Sequence, residues 1–321
     1  MIKQTMKRVL VIGGAGFIGS YLCKTLLEEN AFVVAYDNLM RGKKENIANL
    51  LNNPKFVFIK DDANNVSKLK EVIKEYNINY IFHLAANSDI QASALDPQIE
   101  FEATFKTTWS ILSAMRETGV KNIFFASTSA VYGESHNKQS FKEDDPFNPI
   151  SYYGSAKAAS EACIKSFSYM NDFNALIFRF PNVVGPNLTH GVFFDFINRL
   201  KENPKELVVL GDGNQCKPYM HVKDLVTAIL LLCWNNQSVN AYNVGVETAT
   251  TVKTIANMVV KEMKLDNCVI KYGTSHVGWK GDVPVFMYSL DKIHATGWKA
   301  SMTSDEAALE TIKEALEYDH R

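Results

Sequence analysis

The run Arg8–Ile12 is apolar after its first residue and ends on Gly13-Gly14-Ala15-Gly16-Phe17-Ile18-Gly19, from which a helix-forming stretch continues. Three of these glycines have separate physical uses. Gly13 permits a tight turn, Gly16 lets the backbone approach a pyrophosphate, and Gly19 lets the helix lie against the strand. The helix start adds unpaired amides and a partial positive charge facing the phosphates. Strand, glycine turn and helix in this order confine the chain to an α/β architecture and predict a dinucleotide at the turn.

The rest of the first half fits that frame. Apolar runs at Phe32–Tyr36, Phe56–Lys60, Tyr80–Leu84, Ile123–Ser127 and Ala175–Phe180 predict strands. Helical patterns lie between them at Gly16–Glu29, Val66–Tyr76, Pro97–Thr118 and Tyr152–Met170. The runs are near-continuous, as in strands covered on both faces of a parallel sheet. Strand–helix alternation predicts right-handed crossovers and a doubly wound sheet. Beyond residue 180 the rhythm changes. Leu207–Leu210 and Tyr219–Val222 read as an extended pair linked by Gly211-Asp212-Gly213-Asn214. Helices are expected at Asp224–Cys233, Thr251–Met263 and Thr303–Tyr318. The expected division is a dinucleotide-binding domain over 1–180, completed by parts of 215–245, and a smaller substrate-binding α/β lobe over 181–321, with a cleft between them.

Composition excludes other classes. A net charge of −1 offers nothing to nucleic acid or an anionic membrane. Five scattered cysteines without CxxC spacing point to a reducing compartment, with neither a metal site nor a disulfide framework. No apolar run nears the roughly 20 residues that span a bilayer. Glycines interrupt the N-terminal apolar stretch that would otherwise read as a leader. The cytoplasm is the expected location.

Asp37 closes the second expected strand, where a carboxylate accepts from both hydroxyls of an adenosine ribose and repels a 2′-phosphate; it favours NAD over NADP. Arg41 is the opposing signal, since it would pair with that phosphate. Asp62 reads equally as an acceptor for the adenine amino group or as a helix cap. Tyr153 and Lys157, in Tyr153-Gly154-Ser155-Ala156-Lys157, stand at i and i+4 and rise from one helix face. A phenol with an ordinary pKa of about 10 is a poor base near neutrality. An ammonium about 4 Å away is worth roughly 4 kcal/mol at an effective dielectric near 20, or about three pKa units. Thr128 ends a strand and can donate to and accept from the same substrate oxygen. The three residues predict a base that deprotonates an alcohol beside a nicotinamide.

On these residues the chain resembles the extended short-chain dehydrogenase/reductase family of nucleotide-sugar epimerases and dehydratases, most of all its UDP-glucose 4-epimerase branch. The likeness includes Asp37-Asn38-Leu39, His83-Leu84-Ala85-Ala86, Arg179-Phe180-Pro181-Asn182-Val183-Val184-Gly185-Pro186 and Gly211-Asp212-Gly213-Asn214-Gln215. It implies tightly held NAD lined by Gly13, Gly16, Phe17, Ile18, Asp37, Asn38, Asp62, Ala63, Leu84, Ala85, Ala86, Tyr153 and Lys157. Tyr153 would take the proton of the sugar 4-hydroxyl while C4 gives hydride to NAD. Lys157 would hold the nicotinamide ribose and Thr128 would steady the C4 oxygen. The 4-keto sugar would then turn over and receive hydride on its other face. Asn182, Val192, Phe193, Lys217, Trp279 and Lys280 match positions that hold a nucleoside-diphosphate sugar. Phe193 and Phe194 either flank the base or belong to a helix core, and Trp279 either stacks on a base or packs within its lobe. A homodimer through the helices near 97–118 and 152–170 is also implied.

Dehydratases of this family carry carboxylates one and two places after the threonine, where this chain has Ser129 and Ala130. Neither can move the protons that dehydration across C5 and C6 requires. Decarboxylating relatives carry glutamate at the Ala130 position. Lys217 and Trp279 stand where the family has arginines, whose bidentate grip on a pyrophosphate lysine cannot copy. The expected activity is nucleotide-sugar 4-epimerisation, with a nucleotide-sugar 4-dehydrogenase or 4-ketoreductase as the alternative. A non-catalytic nucleotide sensor is disfavoured because Tyr153 and Lys157 are both present.

Overall fold

The computed structural model describes residues 6–87, 90–134, 140–188, 191–275 and 287–318. The chain divides into two units, the first made of the residues up to Gly133 with Pro146–Arg179 and Ile229–Tyr242. Its strands are β1 (Arg8–Ile12), β2 (Phe32–Asp37), β3 (Phe56–Lys60), β4 (Tyr80–His83), β5 (Asn122–Thr128) and β6 (Asn174–Phe180). With Val239–Asn243 they form a seven-stranded sheet in the order Val239–Asn243, β6, β5, β4, β1, β2, β3. β1 pairs in parallel with β2 and β4, β2 with β3, and β4 with β5. This is the doubly wound Rossmann-type sheet the alternation predicts. The chain steps from β1 out to β3 and then returns to β4 on the other side of β1. The carboxyl ends of β1 and β4 therefore flank a switch point, where open α/β sheets bind ligands.

Helices α1 (Phe17–Glu28), α2 (Val66–Glu75), α3 (Ile90–Leu95), α4 (Gln98–Glu100), α5 (Thr107–Thr118) and α6 (Tyr152–Asn171) accompany the sheet. Val9–Ile12, Val33–Tyr36 and Ile123–Phe125 are buried throughout, which is why their sequences read as unbroken apolar runs. One expected helix is different. The stretch Pro97–Thr118 comes in three pieces, because a π-helical turn over Phe101–Lys106 separates α4 from α5. Threonine hydroxyls accompany the wider turn: Thr107 Oγ1 donates to the carbonyl of Glu102 at 3.1 Å and Thr108 Oγ1 to that of Thr104 at 2.9 Å.

The second unit holds 134–145, Phe180–Ala228 and the chain from Asn243 on. Asn182–Val184 pairs in parallel with Tyr219–His221, Glu206–Val209 in parallel with Val269–Tyr272, and Cys216–Lys217 antiparallel with Thr250–Thr251. The segments expected to form a turn-linked pair thus have other partners. Gly211 and Gly213 sit at φ +80° and +79°, and the backbone there bonds Gly273 and Ser275, just beyond Val269–Tyr272. Helix α7 (Val192–Glu202) buries Phe193, Phe196, Ile197 and Leu200 in this unit's core. Among the described residues no helix is long and apolar enough to cross a membrane, and no cluster of side chains could hold a metal ion.

Candidate functional site

The first unit gathers the expected dinucleotide residues at the carboxyl ends of β1 to β4. Gly13 has a left-handed φ of +82°, and a Cβ there would lie 2.8 Å from the Ala85 amide nitrogen. A Cβ on Gly19 would lie 2.0 Å from the Gly13 carbonyl oxygen. Helix α1 starts from Gly16 with no side-chain cap and no acidic residue in its first turn. Its first amides are left for an anion. Gly13, Gly16, Phe17, Ile18, Leu84, Ala85 and Ala86 are all partly exposed around this turn. A cradle that only hydrogen side chains leave open, facing an uncapped helix start, fits a dinucleotide diphosphate. Gly19→Ala is expected to destabilise the protein by about 1–3 kcal/mol through overpacking and to weaken NAD binding. Urea unfolding and calorimetric NAD titration check this, and wild-type values in both would contradict the packing role.

Asp37 is buried at the end of β2. Its Oδ2 accepts from the Ala15 amide at 2.9 Å and its Oδ1 from the Leu39 amide at 2.8 Å. Burial raises its carboxyl above the usual range, against the pull of the Leu39, Ala15 and Gly16 amides. Gly42 gives that carboxylate room, since a Cβ there would come within 2.7 Å of Oδ1. Arg41 donates to Asn87 Oδ1 at 3.4 Å. Asp62 accepts from Asn38 Nδ2 and from the Asn64 amide, both at 2.8 Å. The helix-cap reading of Asp62 does not hold: Asn65 caps α2, accepting from the Lys68 amide at 3.2 Å. Ala63 beside it is buried.

Helix α6 begins after Ser151, whose Oγ accepts from the Gly154 amide at 3.1 Å. Gly154 allows close approach to the segment leaving β5, because a Cβ would lie 2.5 Å from the Ala130 carbonyl oxygen. This contact brings Tyr153 near Thr128, whose hydroxyl favours the phenolate. Thr128 Oγ1 also accepts from the Ala130 amide at 3.2 Å. Lys157 is buried and donates to the Ala126 carbonyl at 2.7 Å, with its Nζ 5.9 Å from the centre of the Tyr153 ring.

The electrostatics correct one expectation. Burial lowers Lys157 to about 8, against the raising influence of Glu100 and Glu161. Burial raises the Tyr153 phenol, Glu100 raises it further, and the Thr128 hydrogen bond pulls it down. Lys157 does not bring the phenol into working range unaided: burial of the phenol is the largest influence on it, and it acts upward. The side chains that surround the pair were not singled out from the sequence. Glu161, one turn beyond Lys157, binds Arg179 Nη2 at 2.7 Å with both groups buried. Asn87, Glu100 and Thr104 form a second buried polar group. A lone glutamate in an apolar helix pattern is the one sequence signal that pointed to either group.

In the second unit, the pairing of Tyr219 with Asn182 brings Lys217, two residues before Tyr219, to the exposed end where Asn182 begins its strand. Val192 opens α7. Of the two readings of Phe193, the structure shows the core one, its ring 5.1 Å from that of Tyr219. Positions 193, 196, 197 and 200 recur at helical spacing and form the buried stripe; Phe194 is the exposed neighbour. Trp279 and Lys280 lie outside the described residues.

Residues 9–245 match the NAD dependent epimerase/dehydratase family. The chain is 32% identical to a putative UDP-glucose 4-epimerase of Methanocaldococcus jannaschii, over 93% of this chain and 95% of that protein. It is 29% identical to the dTDP-D-glucose 4,6-dehydratase of Homo sapiens, over 96% of this chain and 89% of that one. The crystal structure of the Thermus thermophilus UDP-glucose 4-epimerase in complex with NAD superposes with a TM-score of 0.84. It has 29% identity and covers 96% of this chain and 98% of its own.

Proposed function

From the premise that this chain belongs to the NAD dependent epimerase/dehydratase family, we propose that it is a nucleotide-sugar 4-epimerase working through a transient 4-keto sugar. The observation that carries this reading is the placing of Tyr153 and Thr128 together beside a buried Lys157, with no carboxylate at Ser129 or Ala130.

The glycine turn and the start of α1 would hold the diphosphate of NAD, and Asp37 its adenosine ribose. NAD supplies a hydride acceptor and a positively charged ring that favours the phenolate. Tyr153 takes the proton of the sugar 4-hydroxyl and later returns it to the same oxygen. The Thr128 hydroxyl, set beside the phenol, keeps that oxygen in reach of Tyr153. Lys157 spends one donor on the Ala126 carbonyl and keeps others for ribose hydroxyls, while its charge stabilises the phenolate. Asn182 and Lys217, at one exposed end of their strands, suit the nucleotide-sugar, with Lys217 acting as a point charge on a phosphate.

Similarity to a dehydratase does not change this. Ser129–Val131 is a tight turn after β5, with Thr128 as its cap, and its side chains bring no acid or base to C5 and C6. The test is incubation of the purified protein with UDP-glucose, UDP-galactose, their N-acetylated counterparts and dTDP-glucose, without added cofactor. The expected result is the 4-epimer with no net NADH. Stoichiometric NADH would favour a dehydrogenase, and a 4-keto-6-deoxy product would overturn the proposal.

A further inference from the structure

The first unit buries a carboxylate that the proposed reaction does not use. Glu100 ends α4, where the chain enters the π-helical turn, and is 2% exposed. Its Oε1 accepts from Asn87 Nδ2 at 2.8 Å and its Oε2 from Thr104 Oγ1 at 2.7 Å. Thr104 Oγ1 in turn accepts from the Asn87 amide at 3.2 Å. The three residues close a ring of hydrogen bonds between the segment leaving β4 and the helix that follows. Two neutral donors fix the carboxylate in place but leave its charge unbalanced, and a buried charge needs a partner of opposite sign. Both α4 and the π-helical turn pack on α6. Of the buried cations described there, Arg179 is engaged by Glu161, which leaves Lys157.

We infer that Glu100 is a positioning residue for the proposed epimerisation: pinned by Asn87 and Thr104, its carboxylate is the counter-charge that keeps Lys157 an ammonium within the buried site. Its electrostatic influence has the matching sign, favouring the Lys157 ammonium and disfavouring the Tyr153 phenolate. Other charges lie around the pair among the described residues. Glu161 also favours the ammonium. His83 on β4 is held neutral by burial and by the Lys157 charge. Arg41 reaches Asn87 Oδ1, and Glu102 and Lys106 form an exposed pair on the π-helical turn.

The inference deepens the epimerase reading at the same site and rests on it only for its kinetic arm. The experiment is an NMR titration of the Lys157 side chain in NAD-loaded protein, its signal assigned by its loss in Lys157→Arg. Wild type is compared with Glu100→Gln and Glu100→Asp. Removing an anion lowers the pKa of both neighbouring acids. The Lys157 midpoint should fall from its wild-type value by roughly one pH unit or more in Glu100→Gln and by less in Glu100→Asp. Both limbs of the kcat–pH profile should move to lower pH with it, while KM changes little. A folded variant whose midpoint and profile stay at the wild-type values would overturn the inference, even if its melting temperature drops. Should Glu100→Gln fail to fold, the Glu100→Asp midpoint decides in the same way. A wild-type protein without epimerase activity whose Lys157 still responds to Glu100 would refute the proposed reaction and leave this inference standing.

Discussion

Tyr153→Phe is expected to lower 4-epimerase turnover by at least about 10³-fold while the fold and NAD content stay as in the wild type. The ring keeps its place at the start of α6, and only the hydroxyl is lost. Among the described residues, nothing nearby can substitute for it. His83 is buried and held neutral, and Lys157 is tied to the Ala126 carbonyl. The checks are kcat with the preferred sugar nucleotide, circular dichroism, and NAD released on denaturation. Turnover within tenfold of wild type would remove Tyr153 from the mechanism.

The largest expected effect on stability is at Glu161. Its carboxylate takes Arg179 Nε and Nη2 at 3.0 and 2.7 Å, and Ser127 Oγ donates to it as well. Arg179 Nη1 donates to Tyr132 Oη at 2.7 Å, and the guanidinium lies 4.6 Å from the centre of the Phe147 ring. Both charged groups are fully buried. Glu161→Leu strands the guanidinium without its anion and should cost about 3–5 kcal/mol. The double variant Glu161→Leu with Arg179→Met removes both charges and should recover more than half of that loss. Urea unfolding measures both. A single-variant loss under about 1 kcal/mol would mean that the pair is better solvated than its burial implies.

The parallel sheet was legible because its strands are covered on both faces, so each runs apolar from end to end. The glycine turn was legible because a backbone that must approach another backbone admits no side chain. The shared face of Tyr153 and Lys157 follows from helical spacing alone. Burial does not, and burial reverses the expected direction of the phenol shift. The Gly211-Asp212-Gly213-Asn214 turn is a local signal, whereas the choice of partner strands is not, so the extended segments on either side were paired wrongly. The core reading of Phe193, open beside a base contact, was the one its pattern favoured, since Phe193, Phe196, Ile197 and Leu200 repeat at the spacing of one helix face. Glu161 with Arg179, and Glu100 with Asn87 and Thr104, were beyond reach because each group unites separate elements that only the folded chain brings together.

Asp37 does two jobs with one carboxylate. It stands where an adenosine ribose is expected, and it ties the Ala15 and Leu39 amides to the end of β2. Redesigning this chain to accept a phosphorylated coenzyme therefore cannot be a one-residue exchange. Replacing Asp37 with a neutral or basic side chain would release the loop proposed to hold the diphosphate, so coenzyme preference and coenzyme affinity would change together. A successful redesign has to supply a new acceptor for the Ala15 amide, and Gly42 is where the backbone leaves space to build one.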